Sequence, residues 1–177
     1  MGAHTVLGNH DWQMLRWHAA QRTGGPEATV PFANPAGEHR GLARTLAPEL
    51  VGYLQDAPHV LDVPQYNIIV VHAGLVPGVP IDEQNTFDAM HMRTLRDGEP
   101  SEGNAGEPWA SLWPGPETLV FGHDAKRGLQ RYPHAIGLDT GCVYGKNLTC
   151  YIMPEGRFHS VPARADPASP GSPASPL

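Results

Sequence analysis

Three stretches of this 177-residue chain end an apolar run on a histidine beside a small residue. They are Thr5-Val6-Leu7-Gly8-Asn9-His10-Asp11, Asn67-Ile68-Ile69-Val70-Val71-His72-Ala73-Gly74 and Thr118-Leu119-Val120-Phe121-Gly122-His123-Asp124. Apolar runs of this length read as buried strands, whose ends are held rigidly. Glycine lets the backbone turn close to an ion, and an imidazole or amide at such a tip is a metal donor. The tips lie far apart in sequence and can act together only if the strands run side by side. The pattern therefore predicts a sheet with a site on its edge. Each tip also has a plainer reading: Asn9-His10 fits a strand-to-helix turn with a capping role, and His72 and His123 fit half-buried histidines satisfied by hydrogen bonds.

The rest of the composition bounds what such a site could do. A chain of 177 residues makes one ordinary domain, expected over 1–161, followed by an Ala/Ser/Pro tail over 162–177 that has no core-forming residues and is expected to be disordered. The formal charge of −6 argues against a nucleic-acid platform held by bulk electrostatics, and phosphate chemistry on it would need local cations, which metal ions supply. Seven of the ten histidines lie outside the three tips, at His4, His18, His39, His59, His91, His134 and His159, and read as solvated surface. Cys142 and Cys150 fit neither a zinc knuckle nor a redox pair, so a reducing compartment is expected. No basic start precedes an apolar stretch and no apolar run reaches membrane-span length, so a soluble, cytoplasmic chain is expected; nothing in the sequence fixes an oligomeric state.

The positioning elements can be read in order. Thr5-Val6-Leu7 reads as a short buried strand, with Asp11 as the cap of a helix running to about Ala20 on an apolar face of Trp12, Leu15 and Ala19. Residues 23–38 read as a loop. A second helix is expected over Pro48 to Gln55, with a start signal near Thr45 and a stripe of Leu50, Val51 and Leu54. Val60–Val63 and Asn67–Val71 read as paired strands across Pro64-Gln65-Tyr66. Phe87 to Leu95 reads as a short helix carrying Arg93, and Gly98 to Pro108 as a polar insertion of low order. Thr118–Phe121, Ile136–Leu138 and Leu148–Met153 read as further strands.

Taken together, Gly8-Asn9-His10-Asp11, Val71-His72-Ala73-Gly74-Leu75, Phe121-Gly122-His123 and Leu138-Asp139-Thr140-Gly141-Cys142-Val143-Tyr144-Gly145 resemble the later motifs of the calcineurin-like metallophosphoesterases. The order and spacing are most similar to the symmetrical diadenosine tetraphosphatases and their eukaryotic relatives, from about Thr5 to Phe158. The resemblance implies an α/β fold, a β-sandwich flanked by helices. It also implies that Asn9, His72 and His123 hold the second of two divalent ions, and that His10 protonates the leaving group. Arg93 would grip phosphate and Tyr144 would lie over the substrate, a phosphorylated small molecule or nucleotide.

Two ions about 3.5–4 Å apart polarise phosphoryl oxygens and activate a bridging water. Imidazole and amide donors suit manganese, iron or zinc. The family's two earlier aspartate motifs do not occur in this sequence. The resemblance then implies an amino-terminally truncated domain with an incomplete first metal site and impaired activity alone. Two other functions share part of this pattern: a protein serine/threonine phosphatase, and a catalytically inactive interaction domain.

Overall fold

A computed structural model describes residues 2–23 and 38–164. In chain order the elements are α1 (Asn9–Thr23), α2 (Glu38–Thr45), α3 (Pro48–Gln55), β1 (Val60–Val63), β2 (Ile68–Val71), α4 (Thr86–His91), β3 (Thr94–Arg96), β4 (Glu99–Ser101), β5 (Glu107–Pro108), β6 (Thr118–Phe121), β7 (Gln130–Tyr132), β8 (Ala135–Gly137), β9 (Asn147–Ile152) and β10 (Arg157–Pro162). The expected α/β class holds. The described strands form a main sheet in the order β1-β2-β6-β8-β7, a small sheet β4-β3-β5 and a β9-β10 hairpin.

The alternating apolar runs explain the centre of the main sheet. β2 pairs in parallel with β6, and β6 with β8, while β1 and β7 close the two sides antiparallel. A strand covered on both faces reads as a continuous apolar run, as Ile68–Val71 does. Ile69, Val71, Leu119, Phe121 and Ala135 bury their side chains with Leu75, Met92 and Trp109 in the main core. A second cluster, Met14, Trp17 and Ala43, packs α1 against α2, with Leu46 and Leu54 over it.

Several expectations are corrected by this packing. Thr5-Val6-Leu7 is not a strand: α1 begins at Asn9, so the segment is too short for a ladder, and the Leu7 N–H donates once, to Pro58 O at 2.9 Å. Asp11 is not the cap residue. Gly8 occupies that place, and the Asp11 carboxylate reaches back from the first turn to accept the Gly8 N–H at 3.0 Å. The fully buried residues of α1 are Met14 and Trp17; of the expected face, Leu15 packs partly buried against them, Trp12 packs on α4 and Ala19 is exposed, while on α3 Val51 is buried and Leu50 is exposed. α3 starts from Ala47 without a side-chain cap, and α2, short and polar, lies before it unforeseen.

The expected helix Phe87–Leu95 stops at His91. Asn85 Oδ1 caps its start by accepting the N–H groups of Phe87 and Asp88, at 2.8 and 3.3 Å. After Met92 the chain becomes β3, which pairs on both sides, and ladders on two edges outweigh helical propensity. Arg93 therefore sits in the link between helix and strand. The segment Gly98–Pro108 is likewise ordered rather than loose. The fully buried Thr94 hydroxyl lies 3.0 Å from Gly103 O and 3.2 Å from Ala105 O, and at Gly106 (φ 128°) a Cβ would stand 2.6 Å from Leu95 O. Only glycine closes that turn. β10 runs through Pro162; residues 24–37 of the expected loop and 165–177 of the expected tail lie outside the described residues.

Candidate metal centre and its adjoining cleft

Because β2, β6 and β8 are parallel, their carboxy-terminal ends share one edge, the place where open α/β sheets present ligands. His72 follows β2, His123 lies two residues beyond β6, and Asp139 lies two beyond β8. The Gly122 N–H donates to His72 O at 2.9 Å, tying the first two ends together, and the His72 and His123 rings stand 5.1 Å apart between centroids. Asn9 arrives from the opposite side on the first turn of α1, with Oδ1 2.9 Å from His72 Nε2. The structure thus brings Asn9, His72 and His123 together from three separated segments. Gly8 permits this approach, since a Cβ there would lie 2.9 Å from two atoms of the His72 ring.

The His123 imidazole is oriented by what holds its other side. His123 has left-handed backbone (φ 66°), a conformation uncommon outside glycine and concentrated at functional sites. Its Nε2–H donates to His91 O at 3.1 Å, which leaves Nδ1 with a free lone pair. His91, expected on the surface, is buried: its Nδ1–H donates to Phe87 O at 2.8 Å, its ring stacks on Phe87, and Trp12 of α1 meets it edge-on. That contact docks the start of α1 against the residue whose carbonyl holds the His123 ring.

Burial sets the charge state. It pushes His72 down from 6.5 to about 4, against a partial upward pull from Asp11 and Asp139. Burial, reinforced by the Arg93 charge, pushes His123 down to about 3. Both rings are neutral at pH 7, the form that ligates metal. A consequence follows for the metal-free protein. Below pH 6.5 the unfolded chain takes up these protons before the folded one does. Stability is therefore full above pH 6.5 and falls as the pH drops towards about 4 and then 3. A loss of a few kcal/mol is expected, measured as a falling urea midpoint in EDTA between pH 7 and pH 4.5; an unchanged midpoint would contradict the buried, neutral pair.

Donor chemistry decides whether these residues suit an ion. Two donors bound at right angles to one ion at about 2.1 Å stand roughly 3.0 Å apart, and Asn9 Oδ1 and His72 Nε2 are 2.9 Å apart. The Asn9–His72 pair thus has the spacing of two ligands on one divalent ion, and the His123 ring stands beside it, 5.1 Å from that of His72 between centroids. Among the described residues no group of three His, Cys, Asp or Glu side chains is placed to hold a metal.

The other expected site residues surround this point. A cleft of about 370 Å³ is lined by Asn9, His10, His72 and His123 together with Arg93 and Tyr144. Arg93 is fixed by its Nη1, which donates to Glu102 O at 2.8 Å, and Tyr144 is 72% exposed. His10 is exposed, and its Nδ1 shares a 2.8 Å hydrogen bond with His39 Nε2, a residue expected to be merely solvated. Asp139, which also lines the cleft, had no role in the sequence reading; its Oδ1 accepts the Gly141 N–H at 2.9 Å. The signal was its position after a buried run, the same one that marked His72. Past Arg93, His123 and Tyr144 a second cleft of about 560 Å³ adjoins the first.

Known proteins share this fold. No family model matches the chain. A solved crystal structure described as that of "a putative diadenosine tetraphosphatase" superposes with a TM-score of 0.80 and 38% identity, over 93% of this chain and 70% of that one. The chain belongs to the calcineurin-like metallophosphoesterases. This metallophosphoesterase is also 28% identical to the symmetrical bis(5'-nucleosyl)-tetraphosphatase of Shewanella frigidimarina, over 85% of its length and 74% of the relative's. It is 26% identical to the asymmetrical bis(5'-nucleosyl)-tetraphosphatase PrpE of Halalkalibacterium halodurans, over 92% and 67%. The metallophosphoesterase thus spans about two thirds to three quarters of the length of these relatives. The resemblance read from its motifs is borne out, and the family is metal-dependent.

Proposed function

We propose that this protein hydrolyses phosphoanhydride bonds of dinucleoside polyphosphates or cap-like nucleotides, using manganese, iron or zinc held by Asn9, His72 and His123. The observation that carries the reading is the convergence of these three neutral donors at the edge of a parallel sheet, under a cleft that also holds Arg93 and Tyr144. A bound divalent ion supplies polarisation of phosphoryl oxygens and a more acidic water. The chain's own residues do the rest. Arg93 presents a planar fork of donors to non-bridging phosphate oxygens. Tyr144 offers an exposed ring to a nucleobase. His10 gives a proton to the departing oxygen, with His39 holding its ring.

The test is hydrolysis of diadenosine tetraphosphate with Mn²⁺, against EDTA, p-nitrophenyl phosphate and a phosphoserine peptide. EDTA-sensitive release of nucleotides is expected, slow because the proposed ligands Asn9, His72 and His123 are all neutral. Rates no higher than Mn²⁺ alone would overturn the reading, and preference for the phosphopeptide would replace it with a protein phosphatase. His10→Ala should lower kcat on diadenosine tetraphosphate by about 10²–10⁴-fold. The loss should be much larger on phenyl phosphate, whose phenolate needs a proton to leave, than on p-nitrophenyl phosphate, whose nitrophenolate does not. Equal losses on the two substrates would remove His10 as the proton donor.

A further inference from the structure

Lys126 and Lys146 are the only lysines in the sequence, and the fold sets both on the 560 Å³ cleft beside the metal centre. They come from different turns, each fixed on its own. Lys126 lies in the turn after His123, pinned where Arg127 Nη1 donates to the buried Asp124 carboxylate and the Arg127 N–H donates to Asp124 O at 3.1 Å. Lys146 closes the turn that begins at Gly141, its N–H donating to Gly141 O at 3.1 Å. Gly141 has φ 75°, and a Cβ there would stand 3.0 Å from Lys146 Cδ, so glycine lets the lysine stem lie against the turn.

The charges differ in how they are met. Asp124 neutralises Arg127, whereas neither lysine has a carboxylate partner among the described residues. Arg93, on the same cleft, spends one donor on the Glu102 backbone carbonyl, which leaves its charge uncancelled; among the described residues the Glu102 side chain is the one acid on the wall. Three such cations in one cleft of a chain carrying −6 overall call for an anionic ligand larger than a single phosphate.

We propose that this cleft holds the phosphates beyond the one attacked, and that Lys126 and Lys146 thereby select polyphosphorylated nucleotides over phosphate monoesters. The inference rests on the phosphoesterase reading. A monoester has one phosphate, which the metal centre and Arg93 take up. A polyphosphate chain carries further charges that need counter-charges of their own, and the ammonium of lysine, a flexible point charge, meets oxygens at variable angles.

The experiment compares kcat/KM for diadenosine tetraphosphate and p-nitrophenyl phosphate in the wild type, Lys126→Ala, Lys146→Ala, the double alanine variant and the double arginine variant. The ratio of the two constants should fall about tenfold for each lysine removed, through KM, since a charged hydrogen bond is worth about one decade or more. The double arginine variant should recover most of it. Parallel losses on both substrates, or an unchanged ratio, overturn the proposal. A second readout needs no turnover. Inorganic tripolyphosphate, titrated calorimetrically in EDTA, should bind the wild type at least about tenfold more tightly than the double alanine variant. Equal binding overturns the lysine assignment, whereas absent turnover with intact tripolyphosphate binding overturns only the phosphoesterase reading.

Discussion

His72→Ala is expected to take metal-dependent hydrolysis of diadenosine tetraphosphate to background, a loss of about 10³-fold or more. The size follows from what the side chain contributes. It is one of the three proposed donors, its Nε2 lies 2.9 Å from Asn9 Oδ1, and its ring stands 5.1 Å from that of His123. Its removal therefore disconnects the other two. Charge stabilisation by a bound ion is worth several kcal/mol, and each 1.36 kcal/mol is tenfold in rate. The same variant should blunt the acid sensitivity of the metal-free protein, because one of the two buried imidazoles that resist protonation is gone. Loss of turnover together with a flatter stability profile identifies His72 as a buried neutral ligand. A variant that keeps more than about a tenth of the wild-type rate would contradict the assignment.

Trp109→Ala is expected to cost about 3–5 kcal/mol of stability, with roughly 1 kcal/mol more for the carbonyl it strands. Trp109 is 1% exposed, its Nε1–H donates to Ala73 O at 3.1 Å, and its ring packs against Phe121 of β6, centroids 4.8 Å apart. It lies under the two residues that follow His72. The contact is so close that a Cβ on Gly74 would fall 2.4 Å from Trp109 Nε1 and 2.5 Å from Cε2. Gly74→Ala should therefore destabilise as well, by about 1–3 kcal/mol from overpacking. Against a total of about 5–15 kcal/mol for an ordinary domain, losing Trp109 removes a large fraction. Urea denaturation should show a lower midpoint at unchanged slope, and a Trp109→Ala midpoint within about 1 kcal/mol of wild type would contradict this packing.

His72 and His123 were legible in the sequence because one follows β2 directly and the other lies two residues beyond β6, so that burial of each apolar run fixes the tip. What the runs could not say is that β2 and β6 are parallel neighbours, which is the fact that makes the tips meet. Asn9 was legible through its motif, although the segment expected before it as a strand joins no sheet. Arg93 was found on the wrong element. The local pattern favours a helix through Leu95, and only the two partners of β3, both later in the chain, turn it into the exit of a helix. The ordering of Gly98–Pro108 has the same long-range origin.

His39 and His91 were assigned to solvent because histidine is usually there. The His10 partner of His39 and the Trp12 ring against His91 are set by the docking of α2 and α4 on α1, which leaves no local sequence signal, whereas the Phe87 carbonyl that holds His91 is four residues away on the same helix. Lys126 and Lys146 follow no apolar run and stand twenty residues apart, so only the fold shows that they share a cleft.

Electron–nuclear double resonance on the Mn²⁺-loaded protein, prepared with ¹⁵N-labelled histidine, tests the shared centre of Asn9, His72 and His123 most directly. Couplings from two imidazole nitrogens are expected. One should vanish in His72→Ala and the other in His123→Ala, while both persist in Asn9→Ala with weaker metal binding. A spectrum with oxygen ligands alone, or histidine couplings indifferent to both alanine variants, would show that these side chains do not meet around a metal.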